Sequence, residues 1–456
     1  MNRAENTLKY FEMYKDYTDA RVKSGIELYR KGQAKIKLLN ADKTPVKNSA
    51  VVIKQKNHEF RHGANIFLLG EFKDEQKEAE YRRKFAEIFN LATLPFYWDS
   101  LEPSEGKHRY GEDSPEIYRR PPIDRCLKYC AENGIEPKAH CLNYDHFTPK
   151  WAKGLSVCEF KQKLYKRFCE LSKRYADRIP SWEVTNETFS IKGRTPTKFF
   201  YEDDFVEWSF KAADNLFPNN RLIINDYNMW DMTCGGVINK DACTCNRSAY
   251  YMQIERLIKN GVRLDTVGMQ YHNFFTKEDE AIRACERYNP MHLYRVLDNY
   301  AKLGRRIQIT EMTIPAYTDS PDDEQLQAEL LKNIYSIMFS HPAMEAIIYW
   351  NLVDGYAYTK EAVGRESIGD MSSGENVYRG GLLRFDMSEK PAFAVLKDLF
   401  SNQWHTQLTA YTSDDGSIEF RGFYGDYDLE IHANDKTVSK SMSLSRDKLN
   451  DFNIVL

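Results

Sequence analysis

Ser181-Trp182-Glu183-Val184-Thr185-Asn186 runs straight into Glu187, and far downstream Arg306-Ile307-Gln308-Ile309-Thr310 runs into Glu311. Each stretch reads as a short, largely apolar strand that ends on a carboxylate. Six more runs share this texture, at residues 63–67, 91–97, 137–144, 221–227, 266–272 and 346–352. Helical spacing of apolar residues fills the gaps at 160–175, 205–215, 250–259, 291–303 and 323–339, with a last helix at 391–400. Short strands alternating with helices predict a parallel sheet covered on both faces. Eight such units predict an α/β fold, a (β/α)8 TIM barrel.

The flanks differ. Residues 1–30 read as a helical lead-in, and 33–60 as strand, turn, strand. After residue 402 the texture returns to strands and turns, as in Ser417-Ile418-Glu419-Phe420-Arg421. The expected organisation is a lead-in with a small β unit at 1–60, a catalytic barrel at 61–402 and a C-terminal β segment at 403–456. The two accessory β segments at the N- and C-termini are expected to pack together, covering barrel surface rather than binding polysaccharide.

Composition narrows the classes. Of 456 residues 42% are hydrophobic, enough for a large core, and 13% aromatic supplies rings on which sugars stack. A net charge of −3 gives no electrostatic footprint for nucleic acid or an anionic membrane. No apolar run approaches the roughly 18 to 20 residues of a spanning helix. The first 30 residues lack the pattern of a secretory signal, so the expected address is inside the cell, or outside it if a leader has been removed. Nine cysteines, an odd number, do not read as a disulfide framework. Cys234, Cys243 and Cys245 form a cluster whose spacing is not a standard zinc pattern, so free thiols are expected there.

The residues that interrupt the strands are chemically loaded and gather at C-terminal strand ends, the active face of such a barrel. They are His140, Tyr144, Asn186, Glu187, Asp226, Asn228, Gln270, His272, Glu311, Trp350 and Asp354. Cleaving a glycosidic bond needs two carboxyl groups flanking the anomeric carbon, one holding a proton and one anionic. Glu187 and Glu311 are the expected pair. No cofactor motif stands out and no metal is expected. A metal-dependent hydrolase using His140, His146 and His272 is the alternative that lacks both H-x-H and H-E-x-x-H spacing.

These segments resemble glycoside hydrolase family 10, best known for endo-β-1,4-xylanases. Trp182-Glu183-Val184-Thr185-Asn186-Glu187 is similar to the family's W-[DE]-V-x-N-E. Asn225-Asp226-Tyr227-Asn228 is similar to N-D-Y-N, and Gly268-Met269-Gln270-Tyr271-His272 to G-x-Q-x-H. Ile309-Thr310-Glu311-Met312 resembles I-T-E-[LM], and Tyr349-Trp350-Asn351-Leu352-Val353-Asp354 resembles W-G-x-x-D. The resemblance implies Glu187 as general acid/base and Glu311 as nucleophile, with retention of configuration and carboxyl groups about 5–5.5 Å apart. It implies Asn186 on the sugar 2-hydroxyl, Trp350 as a wall of the sugar site, and His272 holding Glu311 in its charged form. A β-linked oligo- or polysaccharide is the implied partner.

The glycone side departs from the family. Where xylanases carry Glu-Asn-x-x-Lys-Trp, this chain has Thr93-Leu94-Pro95-Phe96-Tyr97-Trp98. Tyr144, Asp145 and Phe147 stand where a Trp, a His and a Gln are usual, and Tyr358 replaces a tryptophan. A rebuilt glycone pocket on a retained hydrolytic centre is expected. The competing expectation is a catalytically inactive carbohydrate-binding barrel. Oligomeric state is not legible.

Overall fold

The computed structural model describes residues 2–189, 197–231, 233–234, 237–238, 245–358, 365–433 and 436–456. Cys243 and the side chain of Cys234 fall outside these residues. Eight strands close into a barrel: β1 (Arg61–Asn65), β2 (Leu91–Pro95), β3 (Glu136–His140), β4 (Ser181–Asn186), β5 (Arg221–Asp226), β6 (Thr266–His272), β7 (Arg306–Thr313) and β8 (Met344–Tyr349). Every neighbouring pair, including β8 with β1, is parallel. The expected (β/α)8 barrel is therefore the fold.

Helices form and seat themselves for local reasons. Val157–Tyr175 starts at Ser156, whose hydroxyl accepts from the Glu159 amide while Glu159 reaches back to Ser156. Phe160, Leu164, Phe168, Leu171 and Tyr175 then recur at helical spacing and are all buried. Each such side chain contributes about 1.5–3 kcal/mol by leaving water. Glycine is required where strands crowd. A Cβ on Gly268 of β6 would stand 2.7 Å from the Ile224 carbonyl oxygen and 2.8 Å from Asn225 Oδ1.

Helices Arg3–Met13 and Lys15–Tyr29 lie against the barrel's outer ring. Arg3 bridges Glu280 at 2.7 Å and Asp323 at 3.1 Å, on two different barrel helices. The chain then enters a two-sheet unit built from both of its ends. Lys31–Leu39 pairs with Ser417–Phe423 and Asp451–Val455 in one sheet. Ala50–His58 lies between Gln407–Tyr411 and Gly425–Ala433 in the other, with Lys436–Leu444 at its edge. The facing sides share one apolar cluster that includes Ile36, Leu38, Val51, Ile53, Leu429 and Ile431.

This unit meets the barrel beneath the N-terminal strand ends, opposite the active face. Arg446 donates to the Pro342 carbonyl just before β8, and His58 contacts the Phe400 carbonyl. Buried Arg30 donates to three carbonyl oxygens, of Phe339, His341 and Met344. The sheets therefore leave the other rim of the barrel open.

Candidate active site

A cavity of about 700 Å³ opens at the C-terminal strand ends. His140, Tyr144, Asn186, Glu187, Gln270, His272, Glu311 and Trp350 all line it. Tyr144 lies beyond β3, which ends at His140 rather than running on to residue 144. Trp350 follows the last residue of β8. Asp226 is fully buried and is not part of the lining. Its carboxylate accepts from the amides of Tyr227 at 2.9 Å and Thr188 at 2.9 Å, so it fixes the turn that follows Glu187. Asp354 is likewise removed, paired with Lys390 and accepting from the Gly381 amide. The side chain of Asn228 lies outside the described residues.

The two carboxylates stand on opposite elements, Glu187 just past β4 and Glu311 near the end of β7. Glu187 has a positive φ of 49° and donates its amide to the Asn225 carbonyl at 3.0 Å. Its carboxylate accepts from Tyr144 Oη at 2.8 Å and from Gln270 Nε2 at 3.3 Å. Glu311 accepts from Asn225 Nδ2 at 3.0 Å, and its other oxygen meets His272 Nε2 at 3.1 Å. Asn225 also donates to Asn186 Oδ1 at 2.8 Å, and Gln270 reaches the same oxygen at 3.3 Å. A chain of amides thus ties both carboxylates into one geometry. It occupies Asn186 Oδ1 and leaves the Asn186 amide group without a partner among the described residues.

Beneath this layer lies a buried ionic group. Glu183 of β4 contacts both Lys138 and His140 of β3, and all three side chains are almost wholly buried. Burial alone would raise the Glu183 carboxyl, but Lys138 and His140 overcome that and bring it to about 2. For His140, burial opposes protonation, yet Glu183 and Glu311 raise it above the ordinary imidazole value. The candidate ligand atoms of His140, Glu183 and Glu311 lie within 4.8 Å of one another, close enough to suggest a cation site. Lys138 already neutralises Glu183 there, and a dication would sit against its ammonium. The donor set therefore fits charge pairing better than a metal.

Burial pushes Glu311 up to about 8, with Glu183 and Glu187 adding to the rise and His140 and Lys138 opposing it. This departs from the expectation that His272 holds Glu311 ionised. The reason is that burial of Glu311 outweighs the hydrogen bond His272 offers, and burial also brings the His272 imidazole down to about 4, so that it adds no charge. A neutral ring with Nε2 on Glu311 and Nδ1 on Thr313 Oγ1 at 3.0 Å supplies one hydrogen bond but no charge.

The expected Tyr144 and Trp350 share their wall with residues that a reading of the sequence does not assign to the site. Phe67, Tyr97 and Trp350 form an aromatic cluster apart from the main core, with Tyr144 and Phe147 against it. Arg119, Arg120, Phe274, Glu375 and Tyr378 also face the cavity. Arg119, Arg120 and Phe274 sit on loops, and Glu375 and Tyr378 on the short 3-10 stretch Gly374–Tyr378, where no periodicity marks them. Glu183 and Asn225 had a usable signal, since alternation along a strand turns them to the barrel interior beside Lys138.

A parallel barrel whose C-terminal rim opposes two carboxylates across an aromatic-walled cleft belongs to the class of glycoside hydrolase folds. The model of glycosyl hydrolase family 10 matches residues 62–398, and the chain belongs to that family. A similar curated protein is the anti-sigma-I factor RsgI6 of Acetivibrio thermocellus, 24% identical over 88% of this chain and 45% of its own length. Endo-1,4-beta-xylanase 1 of Arabidopsis thaliana is 24% identical over 88% of this chain, which spans 36% of that protein. The beta-1,4-xylanase of Dictyoglomus thermophilum is 23% identical over 58% of this chain and 74% of its own length. Among solved structures, native xylanase 10B from Thermotoga maritima superposes with a TM-score of 0.57 at 21% identity, covering 76% of this chain and 96% of that one. The chain thus spans less than half of the first two curated relatives.

Proposed function

We propose that this protein is a retaining β-glycoside hydrolase, xylanase-like in its chemistry, acting on xylan-derived or related β-linked oligosaccharides. The observation that carries this is the amide chain through Asn225, Asn186 and Gln270, which holds Glu311 and Glu187 in one fixed relation. Glu311 attacks the anomeric carbon and forms a glycosyl-enzyme, while Glu187 protonates the departing oxygen. Glu187 then takes a proton from water, which opens the intermediate with net retention. The unpartnered amide of Asn186 is available to the sugar 2-hydroxyl, a contact that tightens as positive charge develops. That same charge stabilises the Glu311 anion at the moment of attack, offsetting the burial that favours its protonated form. Two of the similar proteins are xylanases by name, and the similar xylanase 10B from Thermotoga petrophila is a complex with xylobiose. The names of these relatives support a β-linked, xylan-related saccharide as the substrate class, on a glycone side rebuilt with Tyr97, Tyr144 and Phe147.

The test is hydrolysis of a panel of aryl β-glycosides and β-linked oligosaccharides, with Glu311→Ala and Glu187→Gln in parallel. The expected outcome is a β-anomer as first product and loss of turnover in Glu311→Ala. Glu187→Gln loses on the order of 10²–10⁴-fold on substrates with poor leaving groups and far less on activated ones. Binding without turnover by the wild type would replace this reading with a sugar-binding barrel.

A further inference from the structure

The part of the cleft walled by the segments after β1, β2 and β3 holds a cation that the two-carboxylate chemistry does not use. The guanidinium of Arg120 lies over three rings, 4.1 Å from the centre of Tyr97, 5.1 Å from Phe147 and 5.6 Å from Phe67. Among the described residues its one hydrogen bond runs from Nη1 to the Arg119 carbonyl oxygen at 2.8 Å. Asp99 is near enough for its field to reach Arg120, but the two form no ion pair. By contrast Arg287, elsewhere on the cavity wall, is neutralised by Asp231.

An arginine has five N–H donors and no acceptor, and ring faces satisfy none of those donors in full. Removing a cation from water without a counter-charge is unfavourable, so an anion arriving beside it recovers interaction that a neutral ligand does not. Nε and Nη2 of Arg120 have no protein acceptor among the described residues. Side by side on a planar fork, they match the two oxygens of a carboxylate. The neighbouring rings supply a stacking surface for the sugar that carries it.

We propose that this cleft takes β-linked saccharides bearing a uronic acid, whose carboxylate docks on the Nε–Nη2 edge of Arg120 above Tyr97 and Phe147. This rests on the hydrolase reading for the chemistry that follows binding, though not for the binding itself.

The experiment compares matched oligosaccharides that differ only in one substituent: neutral, glucuronic acid-bearing and sulfated. Each is presented to the wild type, Arg120→Gln and Arg120→Lys for kcat/KM, and to Glu311→Gln, with and without Arg120→Gln, for calorimetric affinity. The wild type should favour the uronic acid over the neutral partner by about tenfold or more, the scale of one charge-assisted hydrogen-bonded pair. Arg120→Gln should collapse that ratio towards one, and Arg120→Lys should keep part of it. Equal handling of neutral and acidic substrates by the wild type overturns the proposal, as does an unchanged ratio in Arg120→Gln. Preference for the sulfate ester over the uronate overturns the carboxylate assignment. Absence of hydrolysis on every compound removes the hydrolase reading alone, because the calorimetric ratio still decides the role of Arg120. Thermal melting of each variant separates misfolding from lost recognition, and the wild-type comparison needs no variant.

Discussion

Glu311 carries the conflict between function and stability most openly. In the proposed mechanism it must ionise to act, yet it is buried beside two other carboxylates and is pushed up to about 8 from an ordinary 4.5. Between those values the folded chain holds a proton on this group that the unfolded chain has released. Stability then falls as pH rises, because the folded state binds more protons than the unfolded one. The contribution is fully present below the unfolded value and is lost as pH passes the folded one. Glu311→Gln removes this slope, so the variant is expected to melt higher than the wild type at mildly alkaline pH. The gap should narrow as the pH is lowered through the acid range. Melting temperatures measured across that window check it, and parallel curves for the two proteins would contradict it.

At the scale of elements, the site depends on how closely β5, β6 and β7 approach. Asn225 of β5 holds Glu311 and Asn186 together, and its Oδ1 also accepts from Thr310 of β7. Gly268 of β6 lies against that side chain, and a Cβ there would also stand 2.9 Å from Thr310 Cγ2. Gly268→Ala is expected to cost about 1–3 kcal/mol as overpacking. A displaced Asn225 should also lower kcat by on the order of 10²-fold, the scale of an ångström-sized misplacement. Thermal melting with steady-state kinetics reads both effects, and a variant with wild-type kcat would separate Asn225 from the positioning of Glu311.

The barrel strands are legible because most are short, largely apolar runs, which the burial of parallel strands on both faces demands. Their ends are less so. The third reads through to residue 144, since Cys141, Leu142 and Tyr144 keep the apolar texture after the strand has turned into a loop at His140. Glu187 and Glu311 stand out as carboxylates at strand ends. Arg120 does not, because a loop residue gains its meaning only when folding brings it over Tyr97. The raised pKa of Glu311 is also out of reach, since burial sets it, with Glu183 and Glu187 adding to the rise and His140 and Lys138 opposing it through space.

For the molecule as a whole, neither β segment supplies a complete sheet. Ending the chain after His405 would remove strands from both sheets and leave Ile36, Leu38, Val51 and Ile53, all without exposed surface in the intact protein, facing water. Four such side chains at about 1.5–3 kcal/mol each match the entire stability of a typical domain. The shortened chain is therefore expected to aggregate or to melt far below the full one. A soluble truncation with an unchanged melting temperature would show that the barrel does not need the sheets beneath it.

The same interleaving sets a timetable for synthesis. Lys31–Leu39 and Ala50–His58 leave the ribosome early, but their sheet partners are made only after the entire barrel. At ~5–20 residues per second, two apolar strands wait for tens of seconds with unpaired edges. During that interval they are the segment a nascent-chain chaperone would have most reason to shield.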